Sequence, residues 1–211
     1  MFAASSLAAS PRTPIEHVIV IVGENRTFDN LFATYQPKSR QPVGNLLSRG
    51  IVLADGSPGP NLRLAEQHTA EVLDTYTPTP KVTGSYSKLP QPYAFGAFGQ
   101  RYDVPDARFA EPMPNGPFQI TQHVGYGAHT GDPIHRFFQM WQQINGGKMD
   151  LFVWTAETVG MGGSNGELPF APNKNYQGSV SMGFYNMTRG DAAYFRSLAD
   201  DYALADNYHQ P

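Results

Sequence analysis

The chain has no cysteine, which excludes a disulfide framework and every thiolate metal site, so a bound metal must rest on Asp, Glu, His, Asn or hydroxyl oxygen. Long apolar runs are also missing. The longest, Val18 to Val22, has the length of a strand and falls well short of the roughly 18 residues that a membrane span requires. Nor is there an excess of one charge: 15 basic against 18 acidic residues leave a formal charge of −3, without long runs of either sign. That balance gives no electrostatic footprint for nucleic acid or for an anionic membrane surface. No internal repeat is present.

What remains is a chain of 211 residues with 40% hydrophobic content, enough to bury one sizeable core in one domain or one large piece of a domain. Met1 to Ser10 is small and weakly apolar, and ends in an alanine-rich stretch without a charged leader. Residues 1–14 therefore read either as the remnant of an export segment, with a secreted or periplasmic destination, or as a disordered start.

Val18-Ile19-Val20-Ile21-Val22 is wholly apolar and β-branched, the composition of a strand covered on both faces in a parallel sheet. It leads into Gly23-Glu24-Asn25-Arg26-Thr27, after which Phe28, Leu31 and Phe32 have the spacing of a short helix. A strand, turn and helix places Glu24 and Asn25 just past the carboxyl end of the strand. From about 36 to 119 the sequence is rich in Pro and Gly and predicts mostly loop, an excursion serving either as a lid or specificity element or as decoration.

Asp132 and Pro133 predict a helix start, with Asp as the cap and Pro in the first turn. Ile134, Phe137, Phe138, Trp141 and Ile144 continue at helical spacing, and Asn145-Gly146-Gly147 ends the run. Leu151 to Trp154 predicts a short strand, Arg189-Gly190-Asp191 caps a last helix through Tyr194, Phe195 and Leu198, and Tyr202 to Asn207 predicts a final strand with its exit loop. Strands alternating with helices indicate a layered α/β architecture.

Open α/β sheets bind ligands beyond the carboxyl ends of their strands, which makes Glu24 and Asn25 the first candidates. A carboxylate beside an amide oxygen is a hard donor pair suited to Ca²⁺, Mg²⁺ or Mn²⁺, or to Zn²⁺ when further carboxylates complete the site. The alternative is that Asn25 or Thr27 caps the helix and Glu24 is a solvated turn residue. His135, in the first turn of the helix predicted from Asp132, sits where free N–H groups and the helix dipole favour an anion and a neutral imidazole; it can equally be a packed structural histidine. Arg26 can meet phosphate oxygens through its planar fork or pair with Glu24 and Asp29. Asp206, Asn207 and His209 are either orienting groups or ordinary loop residues. His123 and His129 lack the spacing of a helical metal pair, and the Gly160 to Gly166 segment lacks the Lys and Ser/Thr of a phosphate-cradling loop.

The segment Glu24-Asn25-Arg26-Thr27-Phe28-Asp29 after an apolar strand resembles the opening signature of the phosphoesterase family that holds bacterial phospholipases C and acid phosphatases, within the alkaline phosphatase superfamily. Two further blocks agree in order: Asp132-Pro133-Ile134-His135 with Asn145-Gly146-Gly147-Lys148-Met149-Asp150, and Tyr194 to Tyr208. The resemblance implies an alkaline-phosphatase-like α/β/α sandwich, of which residues 15–211 are the front portion. It implies a divalent metal ion held by Glu24 and Asn25, and contact of His135 with the phosphoryl or leaving group, although Ile-His-Arg stands here where many members have Ser after the His. It further implies hydrolysis of a phosphoester small molecule or phospholipid through a Ser or Thr expected shortly after Tyr208, with the remaining acidic ligands further on. On that reading the 211 residues alone are inactive. The competing reading is a catalytically inactive truncated piece or a binding or structural module.

Overall fold

The computed structural model describes residues 13–15, 17–20, 26–73, 75–94, 104–109, 113–131, 133–158 and 177–208. Helices and two small sheets mix among the described residues. Helix α1 is Phe28–Phe32, strands β1 His68–Ala70 and β2 Val82–Ser85 follow, then β3 Phe118–Gln119, α2 Phe137–Ile144, α3 Phe152–Thr158, β4 Gly183–Phe184 and α4 Ala193–Asp201. Strands β1 and β2 pair antiparallel, with His68 opposite Ser85, whereas β3 and β4 pair parallel, with Phe118 opposite Gly183.

Helix α1 forms where its apolar spacing predicts. The Thr27 hydroxyl accepts the Asn30 N–H at 3.2 Å and so satisfies one of the free donors of the first turn. The expected strand before it is not seen at Val18, Ile19 and Val20, which are exposed and pair with none of the four strands. A β-branched run becomes a strand only where a neighbour supplies ladder partners, and among the described residues none does. Ile21 and Val22 lie outside the described residues.

Three further expectations need correction. Leu151 to Trp154 is not a strand: Phe152–Thr158 is helical, with the Thr155 N–H bonded to the Leu151 carbonyl at 2.9 Å. An apolar run this short fits either period, and here a buried face of Val153, Trp154 and Ala156 settles it as a helix. Tyr202 to Asn207 is also not a strand; the Tyr202 N–H closes α4 on the Leu198 carbonyl, and the chain then runs without a partner ladder. Helix α4 itself is present, but Asp191 does not cap it. Ala192, in the left-handed region at φ 51°, precedes its first residue, and the Asp191 carboxylate is turned to other donors.

The core runs through Tyr35, Leu89, Phe109, Phe118, Val153 and Met187, and a second cluster gathers Ala33, Leu46, Ile51, Val52 and Phe184. The Pro/Gly-rich stretch thus supplies buried side chains as well as loops, and carries the β1–β2 hairpin. Its compactness comes from side-chain amides that replace regular ladders. Asn115 accepts the Gln67 N–H at 2.8 Å and donates to the Gln67 and Tyr86 carbonyls, each at 2.9 Å, as a neighbouring strand would.

Candidate functional site

Glu24 and Asn25 lie outside the described residues, so the site is built from the elements around them. Arg26 and Thr27 lead directly into α1, and α1 is fixed by Asn30. The Asn30 amide donates to the Gly183 carbonyl at 2.7 Å, while the Tyr185 N–H donates to the Asn30 carbonyl at 2.7 Å. A helix of five residues has little stability of its own; these two bonds and the packing of Phe28 on Phe32, 5.3 Å between ring centres, hold it against β4.

At the other end of α1 a polar network joins distant parts of the chain. The Thr34 hydroxyl donates to Asn186 Oδ1 at 3.0 Å, and both residues are fully buried. Asp191 Oδ2 accepts the Asn186 N–H at 2.8 Å, the Thr121 hydroxyl at 2.5 Å and the Gln119 amide at 3.1 Å. Helix α1, strand β3 and the approach to α4 are therefore locked together. The sequence gives these residues no role beyond Asp191 as a cap, because Thr34, Thr121 and Asn186 lie far apart along the chain and leave no periodic signal.

The segment after α1, the end of α4 and the segment after it line an open cleft of about 260 Å³. Tyr35, Lys38, Asp200 and Asp206 contribute polar groups to its wall. The Tyr35 hydroxyl donates to Asp200 Oδ1 at 3.0 Å, and Lys38 Nζ lies 3.2 Å from Asp200 Oδ2. Burial, and then the bond to the Asp200 carboxylate, push the Tyr35 phenol up to about 12, so it remains a donor at neutral pH. Asp206 Oδ2 accepts the Gly44 N–H at 2.6 Å, an anchoring role for a residue that the sequence left open. Asn207 is exposed, and His209 lies outside the described residues.

His135 is not in a first helical turn. Helix α2 begins at Phe137 after Arg136 in extended conformation, and no side chain caps its start. His135 is exposed ahead of it, with Nδ1 at 3.0 Å from the Pro133 carbonyl oxygen, and the dipole argument for its protonation state does not apply. Asp132, the expected cap, lies outside the described residues. The far end of α2 does stop as predicted: Asn145 takes the left-handed conformation at φ 44°, and its N–H bonds the Trp141 carbonyl.

His123 stacks on Phe109 at 5.2 Å between ring centres and meets Phe118 edge-on at 5.5 Å, a packing role. The His129 carbonyl accepts from Arg108, whose guanidinium is paired with the buried Asp106 at 2.6 Å. Gly160 to Gly166 lies outside the described residues. Among the described residues no three of His, Asp or Glu gather into a metal cluster. An acid–imidazole pair is present, His68 Nδ1 at 3.4 Å from Asp150 Oδ2, with Asn145 donating to Asp150 Oδ1 at 2.7 Å. Two such groups do not form a closed metal site.

No helix among the described residues is long and apolar enough to cross a membrane. The family model described as the Phosphoesterase family matches residues 15–211. Comparison with curated proteins and with solved structures finds no match.

Proposed function

The chain belongs to the phosphoesterase family, whose membership implies hydrolysis of phosphoester bonds, and from that premise we propose a metal-dependent hydrolase of the phospholipase C or acid phosphatase type. The observation that carries the reading is the match over residues 15–211, which contains all three motif blocks in order.

In this reading Glu24 and Asn25 hold a divalent cation with their hard oxygen donors. When bound, the cation supplies Lewis acidity to the phosphoryl oxygens and favours the alkoxide form of a Ser or Thr nucleophile. Arg26, next in sequence, contributes positive charge towards the nonbridging oxygens. His135 faces the departing oxygen from its exposed position ahead of α2. Asn30, whose amide donates to β4 and whose carbonyl accepts from Tyr185 just past it, fixes the helix that follows the metal-binding pair. The α/β/α sandwich of the alkaline phosphatase superfamily is the architecture that this assignment brings with it, and a secreted or periplasmic setting goes with the export-remnant reading of Met1 to Ser10.

The experiment is an assay of the intact protein, with Ca²⁺, Mg²⁺, Mn²⁺ and Zn²⁺ in turn, against a soluble phosphomonoester, a soluble phosphodiester and phosphatidylcholine. Turnover of at least one substrate that chelation abolishes and a divalent ion restores is the expected result. Turnover indifferent to chelation would remove the metal, and no turnover of any substrate would favour a binding or structural role.

A further inference from the structure

The loop between α2 and α3 is strained, and it places one carboxylate. Asn145, Gly146, Gly147 and Met149 all take positive φ, at 44°, 65°, 92° and 58°. Glycine and asparagine adopt that region readily, but methionine does not, and strain of this kind persists only where the surroundings impose it. Those surroundings belong to Asp150. The Asn145 amide donates to Asp150 Oδ1 at 2.7 Å, the Asp150 carbonyl accepts the His68 N–H at 2.8 Å, and the Met149 carbonyl accepts from the Gln67 amide at 3.3 Å. Asp150 Oδ2 is thereby set 3.4 Å from His68 Nδ1.

His68 Nδ1 is enclosed and makes no hydrogen bond. A lone pair there would face the carboxylate, so in the neutral ring Nδ1 carries the proton and Nε2 keeps the lone pair. The His68 side chain is still 30% exposed, and with Nδ1 enclosed that exposure lies on the rest of the ring. Among the described residues none bonds Nε2. Ser85 stands opposite His68 on β2, but its hydroxyl accepts the Asn115 amide at 3.2 Å and is turned to the Gln67 and Tyr86 carbonyls, each at 3.5 Å. The imidazole, and not the neighbouring hydroxyl, is therefore the free nucleophile of this pair.

We propose that His68, oriented by Asp150, is a nucleophilic centre for neutral, activated carboxylic esters, separate from the phosphoester reaction and independent of it. The Nε2 lone pair forms a bond to the acyl carbon, and the leaving oxygen departs with its bonding pair. Water then gives its hydroxyl to the acyl carbon and a proton to the leaving oxygen, and the nitrogen–carbon pair returns to Nε2. Asp150 faces the positive charge that the acylated ring carries, and the same carboxylate repels an anionic phosphoester, which is why the substrate is a neutral ester. Asp150 touches no substrate and is a positioning residue.

The test begins on the unmodified full chain. Diethyl pyrocarbonate, with the adducts mapped by mass spectrometry, should acylate His68 several-fold faster than the more exposed His135, and nitrogen NMR should find the His68 ring protonated at Nδ1. Hydrolysis of p-nitrophenyl acetate should fall about tenfold or more in His68→Gln. Asp150→Asn should lower it about tenfold, as when other groups that orient an imidazole are lost, and should shift the tautomer, which a purely structural role would not do; Ser85→Ala should change neither. A ring protonated at Nε2, slower acylation of His68 than of His135, or hydrolysis that His68→Gln leaves intact or Ser85→Ala abolishes would each overturn the proposal. The first two readings need no variant and stand even if one fails to fold. Turnover of a soluble phosphomonoester should be unchanged in a folded His68→Gln, and its loss there would overturn the separation of the two centres.

Discussion

The side-chain oxygen of Gln67 accepts the backbone N–H of Phe152 at 2.9 Å, so the start of α3 is capped by a residue 85 positions earlier in the chain. The same oxygen lies 3.4 Å from the Val153 nitrogen, and the Gln67 amide reaches the Ala65 and Met149 carbonyls, each at 3.3 Å. Gln67 is 1% exposed, and water cannot replace these partners.

Gln67→Ala should therefore cost about 2 kcal/mol, combining a lost helix cap with buried N–H groups left unpaired. Urea unfolding of the parent and the variant measures it. A difference within about 0.5 kcal/mol, the range of a neutral surface change, would show that the cap is not made in solution.

Asp191 should matter more than its position in a turn suggests. Its Oδ2 gathers three donors from Asn186, Thr121 and Gln119, so Asp191→Ala is expected to destabilise by about 3 kcal/mol, and Asp191→Asn by less because an acceptor oxygen is kept. The paired unfolding midpoints give the order; equal losses for both variants would contradict it.

These two anchors also explain what the sequence could and could not disclose. Thr27, Phe28, Leu31 and Phe32 announce α1 because cap and apolar spacing are local, and Asn145 announces the end of α2 for the same reason. The start of α2 goes instead with the bond from the Gln143 side chain to the Ile134 carbonyl, and the identity of α3 with a long-range bond from the Phe152 N–H to Gln67. The outward aromatic face of α2, with Phe137 and Trp141 exposed and Gln142 buried, is invisible to periodicity, which reports that one side is apolar but not which way it points. Of the candidate site, the motif residues were legible by resemblance, whereas the Thr34–Asn186–Asp191 network is a product of tertiary packing alone.

Glu157 gives a pH dependence with a definite sign. Burial pushes its carboxyl up to about 7, against the single N–H bond from Gly178 at 3.2 Å. Between the ordinary value of 4.5 and about 7 the folded chain keeps a proton that the unfolded chain has lost, so this group's stabilising contribution is complete below 4.5 and falls as pH rises through that window. The loss is on the order of 3 kcal/mol at most. Glu157→Gln should flatten the decline between pH 5 and 7 and be the more stable form at pH 8, as followed by urea unfolding across pH; identical profiles would contradict the assignment.

Most direct is calorimetric titration of a divalent cation into the intact protein, alongside phosphoester turnover, for the parent, Glu24→Ala and Asn25→Ala. Loss of both cation binding and turnover in Glu24→Ala, with binding weakened about tenfold or more in Asn25→Ala as for other disrupted ligand sets, is the predicted result. Wild-type cation affinity and turnover in Glu24→Ala would contradict the account.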